Sequence, residues 1–494
     1  MNARLIKETR DLLPMFAGTL PLIVVPSLIW PAAGIGFVAL GVACVVMAGS
    51  SFGNEFQHRT LLLLLSQPIA RSVLWRDKMR VLGAGMLGSL AALLVCLAVC
   101  CPGQDPVQDH GGWVALVLIP LCAFCGTPYW TLLLRHGIGG MVFSVAIPTW
   151  ILLVTGFVAG QFSETNAAAQ AVGQQIASLL LLIYCAFVYW LGYAKFKRLE
   201  AVDGPSRELS LSAGLEAVFV RPLTKASSRF RSPFATLLRK ELRLQQTSFL
   251  LAGLFFLVAV AGACVVKYRR ELAEAIVGFD CMIYVVILPL IAGAVSVAEE
   301  RGWGMAEWHL TLPPSALKQW SAIMLAALST SLALGLLLPT ALWLAVVPLF
   351  NHPGAGDSLP PASEIPGWIF LQLLVTSAAV YAASFSKSTL RAILAAFAII
   401  AVGVGASALV SWGWADEAAP RLVLWTGRPH MKPCLVLPVL SGALGFMLCL
   451  IQWFAWSNFR RGEPSTLRLL VQFAVILLSV SLVALFVCTA QWVS

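Results

Sequence analysis

NEFQHRTLLLLLSQPIARSVLWRDKM, residues 54–79, is the stretch on which the reading of this chain turns. It holds five consecutive leucines, bracketed by His58 and Arg59 on one side and by Arg71, Arg76 and Lys78 on the other. As a helix, the run from Thr60 to Ser66 is only about 10 Å long, and the hydrocarbon core of a bilayer is about 30 Å thick. It cannot cross. A short amphipathic helix lying against the membrane or a partner protein makes better use of it. Arg59 and Arg71 then point to water, Pro68 stops the helix, and Arg76 and Lys78 sit at the phosphate boundary. A simple interfacial loop with snorkelling bases fits the same residues equally well.

The rest of the chain sets the context. It has 494 residues, 59% hydrophobic and 11% charged, with a mean hydropathy of +0.85. Its apolar stretches approach the ~20 residues that a helix needs to span a bilayer, where barrel strands would show ~10-residue alternation. Lipid leaves no water for unpaired backbone groups, so the spans are expected to be helices and the fold class all-α. Residues 1–11 are charged and no small-residue cleavage site follows, so the first span is expected to remain as an anchor. A formal charge of +10 suggests a topology signal in a membrane chain before it suggests nucleic acid, which is not expected as a partner.

Six spans are expected in the first half, near residues 12–30, 32–51, 81–101, 113–134, 139–160 and 172–193, the first kinked by Pro14, Pro21 and Pro26. Six more follow near 247–266, 281–298, 320–346, 368–385, 390–411 and 435–456, and a thirteenth near 469–487. Between the halves, residues 195–245 carry eleven Lys or Arg against five Asp or Glu. By the positive-inside rule, Arg71, Arg76, Lys78, Arg80, Arg135, Lys195, Lys197 and Arg198 place the N-terminus in the cytoplasm and the C-terminus outside. Two groups break the rule: Lys267, Arg269 and Arg270, and Arg421, Arg428 and Lys432.

Three motifs recur in the same order. Lys7, Glu8 and Arg10 before the first span are echoed by Lys240, Glu241 and Arg243 before the seventh. Phe196-Lys197-Arg198 after the sixth is echoed by Phe459-Arg460-Arg461 after the twelfth. Between them, residues 299–324 (EERGWGMAEWHLTLPPSALKQWSAIM) align without gaps on residues 54–79: Glu55 meets Glu300, Leu65 meets Leu310, Pro68 meets Pro313, Trp75 meets Trp320 and Met79 meets Met324. Each unit has an even number of spans, so the two repeats are expected to be parallel. The expected organisation is residues 1–198, a six-span unit with an N-terminal amphipathic helix; 199–232, a basic cytoplasmic linker; 233–463, a second six-span unit; and 464–494, an additional span.

Glu55, Thr60, the leucines, Ser66, Pro68, Arg71 and Lys78 resemble the pattern of the ATP-binding-cassette (ABC) type 2 permeases, the membrane subunits of bacterial exporters. The resemblance implies that the segment after the second span is a coupling helix docked on a separate ATPase. It also implies elbow helices before the first span of each unit, matched by residues 1–11 and 233–246. Coupling contacts would then come from Glu55, Arg59, Thr60, Ser66, Pro68, Arg71 and Lys78, and from Glu299, Glu300 and Pro313 in the second copy. The second copy departs from the pattern, with Met305 at the Thr, Ala316 at the Arg and Ile323 at the Lys. The resemblance further implies two ATPase subunits per chain, ATP and Mg held on those partners, and a bacterial cytoplasmic membrane. The chain itself shows no G-x-x-x-x-G-K-[ST] phosphate loop, so hydrolysis would lie in another chain.

Two other classes fit less well. A gradient-driven transporter with 6+6 parallel repeats calls for ionisable groups within its spans, and the middles of these spans hold almost none. An intramembrane enzyme would use Glu299-Glu300 in the manner of the CAAX-type proteases, but Gly304 stands where that motif needs Arg, and the six histidines fall in loops or at span edges. Cys122 and Cys125 form a CxxC inside an apolar run with no His nearby, where Cys serves as a small hydrophobe, and no metal is expected.

Overall fold

The computed structural model describes residues 3–29, 33–57, 69–100, 110–134, 137–162, 167–199, 233–266, 270–302, 304, 314–350, 365–413, 433–461 and 464–493. All regular structure among them is helical: α1 (Ala3–Ile29), α2 (Ala33–Gln57), α3 (Arg71–Cys100), α4 (His110–Leu134), α5 (Gly137–Phe162) and α6 (Ala167–Lys197) in the first half. The second half contributes α7 (Pro233–Leu244), α8 (Gln246–Val266), α9 (Arg270–Gly302), α10 (Ala316–Leu332), a π-helical turn (Ala333–Leu337), α11 (Leu338–Phe350), α12 (Ile365–Ala383), α13 (Thr389–Gly413), α14 (Pro433–Arg461) and α15 (Thr466–Val493). Among the described residues nine helices are long and apolar enough to cross a membrane, or ten if the bent pair α7–α8 counts as one. The chain is an all-α, multi-pass membrane protein. The thirteen expected segments fall on helices, that at 320–346 running through α10, the π-helical turn and α11, while α1, α5 and α9 are not among the nine.

The packing has the same plan in both halves. α1 lies on α2 and α3, α2 on α4 and α5, and α6 on α4 and α5. In the second half α8 lies on α9, α9 on α10, α12 and α13, and α12 on α13 and α14. The halves meet reciprocally, α1 against α13 and α5 against α8, so the first spanning helix of each touches the fifth of the other. Hydrophobic burial gives helices little reason to associate in lipid, so close approach and polar contacts must supply it. At one such approach, a Cβ on Gly53 would stand 2.9 Å from the Gly137 Cα, with the Leu390 side chain of α13 at 3.6 Å. Any larger residue there would push α2, α5 and α13 apart.

Each unit treats its entry differently. α1 runs unbroken from Ala3 to Ile29 through Pro14, Pro21 and Pro26, so the expected first elbow is continuous with its span. α7, by contrast, meets α8 at 51°. The break is at Gln245, whose side chain turns inward, its Nε2 donating to the Ala292 carbonyl at 2.9 Å while its Oε1 accepts from the Ser248 hydroxyl at 2.9 Å.

The last helix is fastened by polar groups. α15 packs on α13 and α14, a place that α6 fills directly against α5 in the first half. Asn458 of α14 and Gln472 of α15 exchange two amide hydrogen bonds, at 3.0 and 3.1 Å, and both are buried. The Tyr381 hydroxyl donates to the same Gln472 oxygen at 3.3 Å, and the Asn458 amide reaches Ser384 at 3.3 Å. A half-satisfied buried amide costs more than an apolar pair. Substituting Asn458→Leu or Gln472→Leu alone should therefore cost about 1–2 kcal/mol, and the double variant less than the sum. Unfolding of the purified protein in micelles, followed by helicity, measures both quantities.

Candidate functional site

On the face where α1 begins and α2 ends, three helices converge on one ammonium group. Lys78 of α3 is 3% exposed; its Nζ lies 2.7 Å from Glu55 at the end of α2 and 2.8 Å from Glu8 near the start of α1. Its remaining donor reaches the Ser51 carbonyl at 3.3 Å, and the Phe52 ring lies 5.4 Å away. All three N–H groups of the lysine are thus used, which is the condition for keeping such a charge out of water. Glu55 Oε2 and the Asn54 side-chain amide oxygen Oδ1 are buried without hydrogen-bond partners, leaving excess acceptor capacity at the foot of α2.

The equivalent place in the second half is built from the same charges with the cation moved. Ile323 occupies the position of Lys78 and is buried among apolar residues. Lys240 of α7, the counterpart of Lys7, takes over: it pairs with Glu300 at the foot of α9 and approaches Glu241 on its own helix at 3.6 Å. Departure from the lysine position therefore does not leave the second half without its charged joint. Among the described ion pairs that joint links α7 and α9, where the first links three helices; α7 in turn packs on α10, and Lys240 is 38% exposed. α7 is a short amphipathic helix bent away from α8 and packed on α10. Within it, burial and then the neighbouring Glu300 push the Glu241 carboxyl up to about 8, against the pull of Lys240.

An aromatic clasp sits beside each joint. Trp75 of α3 packs on Tyr193 and Phe196 of α6, with ring centroids at 6.3 and 5.5 Å. Trp320 of α10 packs on Trp456 and Phe459 of α14, at 5.9 and 5.3 Å. In each case a base four residues after the first of these rings covers its face, Lys197 on Tyr193 at 4.7 Å and Arg460 on Trp456 at 5.6 Å. These contacts pair the residues that the sequence motifs pair.

Other candidate residues are placed as follows. Lys7 and Arg10 are exposed on α1 and Arg243 on α7, while Glu299 is half-buried beside Glu300. Arg71 does not point freely into water: its Nη1 donates to the Lys197 carbonyl at 2.7 Å, joining the start of α3 to the end of α6. Arg59, Thr60, Ser66, Pro68 and Pro313, with the leucine run and the linker at 200–232, lie outside the described residues. Cys122 and Cys125 of α4 gather with Cys185 of α6 in an apolar cluster, Cys122 and Cys185 sulfurs 3.6 Å apart, and no metal-holding group of His, Cys, Asp or Glu occurs among the described residues. No family model, curated protein or solved structure matches the chain.

Two outcomes test the joints. Lys78→Met strands two carboxylates at a buried site and should cost about 3–5 kcal/mol, whereas Lys240→Met, at a more exposed site, should cost clearly less; chemical denaturation in micelles compares them. Separately, Glu241 binds its proton more tightly folded than unfolded, so stability should fall as pH rises from about 5 to 8. Glu241→Gln should flatten that slope in thermal unfolding measured across the same range.

Proposed function

We propose that the chain is the membrane-spanning permease subunit of an ABC transporter, an exporter driven by a separate ATPase that engages the segments between α2 and α3 and between α9 and α10. The observation that carries this reading is the pair of charged joints: each lies at the root of one of the two aligned segments, one built on Glu55 and the other on Glu300. A push on either segment would reach the foot of the second spanning helix of its unit through that carboxylate. The ion pair at Glu55 joins that foot to the first and third helices as well, so the load is shared over much of the bundle.

Other features agree with the reading. The reciprocal first-to-fifth helix contacts make two bundles with one interface, the arrangement in which rocking of one unit against the other opens a path. The hydrogen-bonded residues found inside the bundles, such as Gln372, Thr376 and Ser331, are neutral amides and hydroxyls, which favours an amphipathic or lipid-like cargo over a small ion. In this reading ATP and Mg belong to the partner, two ATPase subunits bind per chain, and the joint face is cytoplasmic in a bacterial inner membrane. The C-terminus then lies outside. Because a buried ion pair ties α1, α2 and α3 in the first joint, whereas the ion pair of the second ties α7 to α9 and α10 is reached through the packing of α7, the two ATPase contacts are unequal.

The test must avoid residues that hold the fold, which rules out reversing Glu55 or Arg71. Arg59→Glu combined with Leu63→Asp is expected to abolish co-purification of a phosphate-loop ATPase and any stimulation of its ATP hydrolysis, with the helical content unchanged. An ATPase that stays bound and stimulated in that variant would overturn the coupling role, and absence of any ATPase from the wild-type complex would overturn the permease reading.

A further inference from the structure

The first half carries a feature that coupling does not use, and it stands apart from the permease reading. α3 and α6 are locked together at the joint face. Trp75 Nε1 donates to the Tyr189 hydroxyl at 3.4 Å, and its ring meets those of Tyr189 and Tyr193 at 5.9 and 6.3 Å. Gly192 allows this approach, since a Cβ there would be 3.2 Å from the Trp75 ring. The clasp fixes the register in which Arg71 reaches the Lys197 carbonyl, and so brings its guanidinium to the end of α6, where Lys197 and Arg198 are exposed. No other described residue engages the remaining N–H groups of Arg71.

Three cations thus converge where two membrane helices reach the interface. Repulsion among them is not answered from either helix nearby: α6 contains no acidic residue, and the first acid of α3, Asp77, is buried with Arg80 at 3.9 Å. Immediately along α6 the surface is apolar and open, with Trp190 61% and Phe187 57% exposed, followed by Ile183 and Leu182. Cations at the phosphate level above an apolar helix face complement one kind of molecule, an anionic phospholipid with its headgroup on the bases and its chains along α6.

We propose that the α3–α6 junction, through Arg71, Lys197 and Arg198, binds the headgroup of one anionic phospholipid. The second half differs at this place: Ala316 replaces Arg71, and Arg468 of α15 instead donates to Ser457 of α14, one turn before the exposed Arg460 and Arg461. The tight site is assigned to the first half, where α3 and α6 supply the bases.

The experiment is native mass spectrometry of the delipidated full-length protein in neutral detergent, titrated with phosphatidylglycerol. Each base near the phosphate is worth about fivefold in affinity, so Lys197→Gln with Arg198→Gln should weaken the tightest site about 30-fold. That variant keeps the Arg71-to-carbonyl bond, so it should fold; Arg71→Ala should weaken binding at least fivefold, with its lipid-free melting temperature recorded beside it. Arg460→Gln with Arg461→Gln should leave the tight site unchanged, and phosphatidylcholine of the same chain length should not fill it. Wild-type affinity in the Lys197/Arg198 variant, an equal loss in the Arg460/Arg461 variant, or displacement of the lipid by millimolar inorganic phosphate would each overturn the proposal.

Discussion

A lysine held almost wholly out of water between two carboxylates governs how the first half of this protein can be assembled. The charge on Lys78 is tolerable only with Glu8, Glu55 and the Ser51 carbonyl all in place, because desolvation of an unpaired ion outweighs any packing it could gain. Meeting that demand requires α1, α2 and α3 to end within a few ångströms of one another. The aromatic residues around it then follow: Phe52 lies under the ammonium and packs against Trp75, which in turn holds α6. Through this chain of contacts one ion fixes four of the first six helices at a single face.

Farther into the bundle the same physics is met with neutral groups. Gln372 of α12 donates to the Val285 carbonyl of α9 at 2.8 Å and accepts from Ser331 of α10 at 3.0 Å. The π-helical turn between α10 and α11 displaces carbonyls from the regular ladder, and Tyr284 takes up one of them, its hydroxyl donating to Leu334 at 2.9 Å. Such bonds are individually modest between membrane helices. Their value here is positional, since a side chain that has left water must find its one partner, and finding it fixes the rotation of each helix.

Much of the fold was legible because bilayer thickness constrains length and composition so strongly that span positions follow from hydropathy alone. The pairings of Trp75 with Trp320 and Phe196 with Phe459 were legible too, and the matching clasps show what those residues do. What could not be read was the exchange of cations. Comparing Lys78 with Ile323 position by position registers a loss, whereas the folded chain brings a different position, Lys240, within reach of Glu300. The link made by Arg71 was hidden for a related reason: only the end of α6, more than a hundred residues away in sequence, turns a surface base into a tie between helices. Nor does a sequence of amides announce that Asn458 and Gln472 face each other, because they lie on different helices, α14 and α15, whose rotation hydropathy does not fix.

The moved cation also bears on how force would pass through the two units. In the first, the third helix is bound into the joint, so a displacement at the foot of α2 must carry α3 and α1 with it. In the second, α10 enters through a buried Ile323 and its packing on α7, and is held farther along by Ser331 and by the π-helical turn against α9 and α12. Dispersion contacts around an isoleucine are soft and non-directional, while an ion pair in a low-dielectric site resists separation steeply. The second foot is therefore held to α10 by the packing of α7 on it rather than by an ion pair, and its amphipathic helix turns at Gln245 where α1 runs on unbroken. Nearly the same set of charges thus gives one foot closed by a buried three-helix ion pair and one in which side-chain packing takes over the third contact.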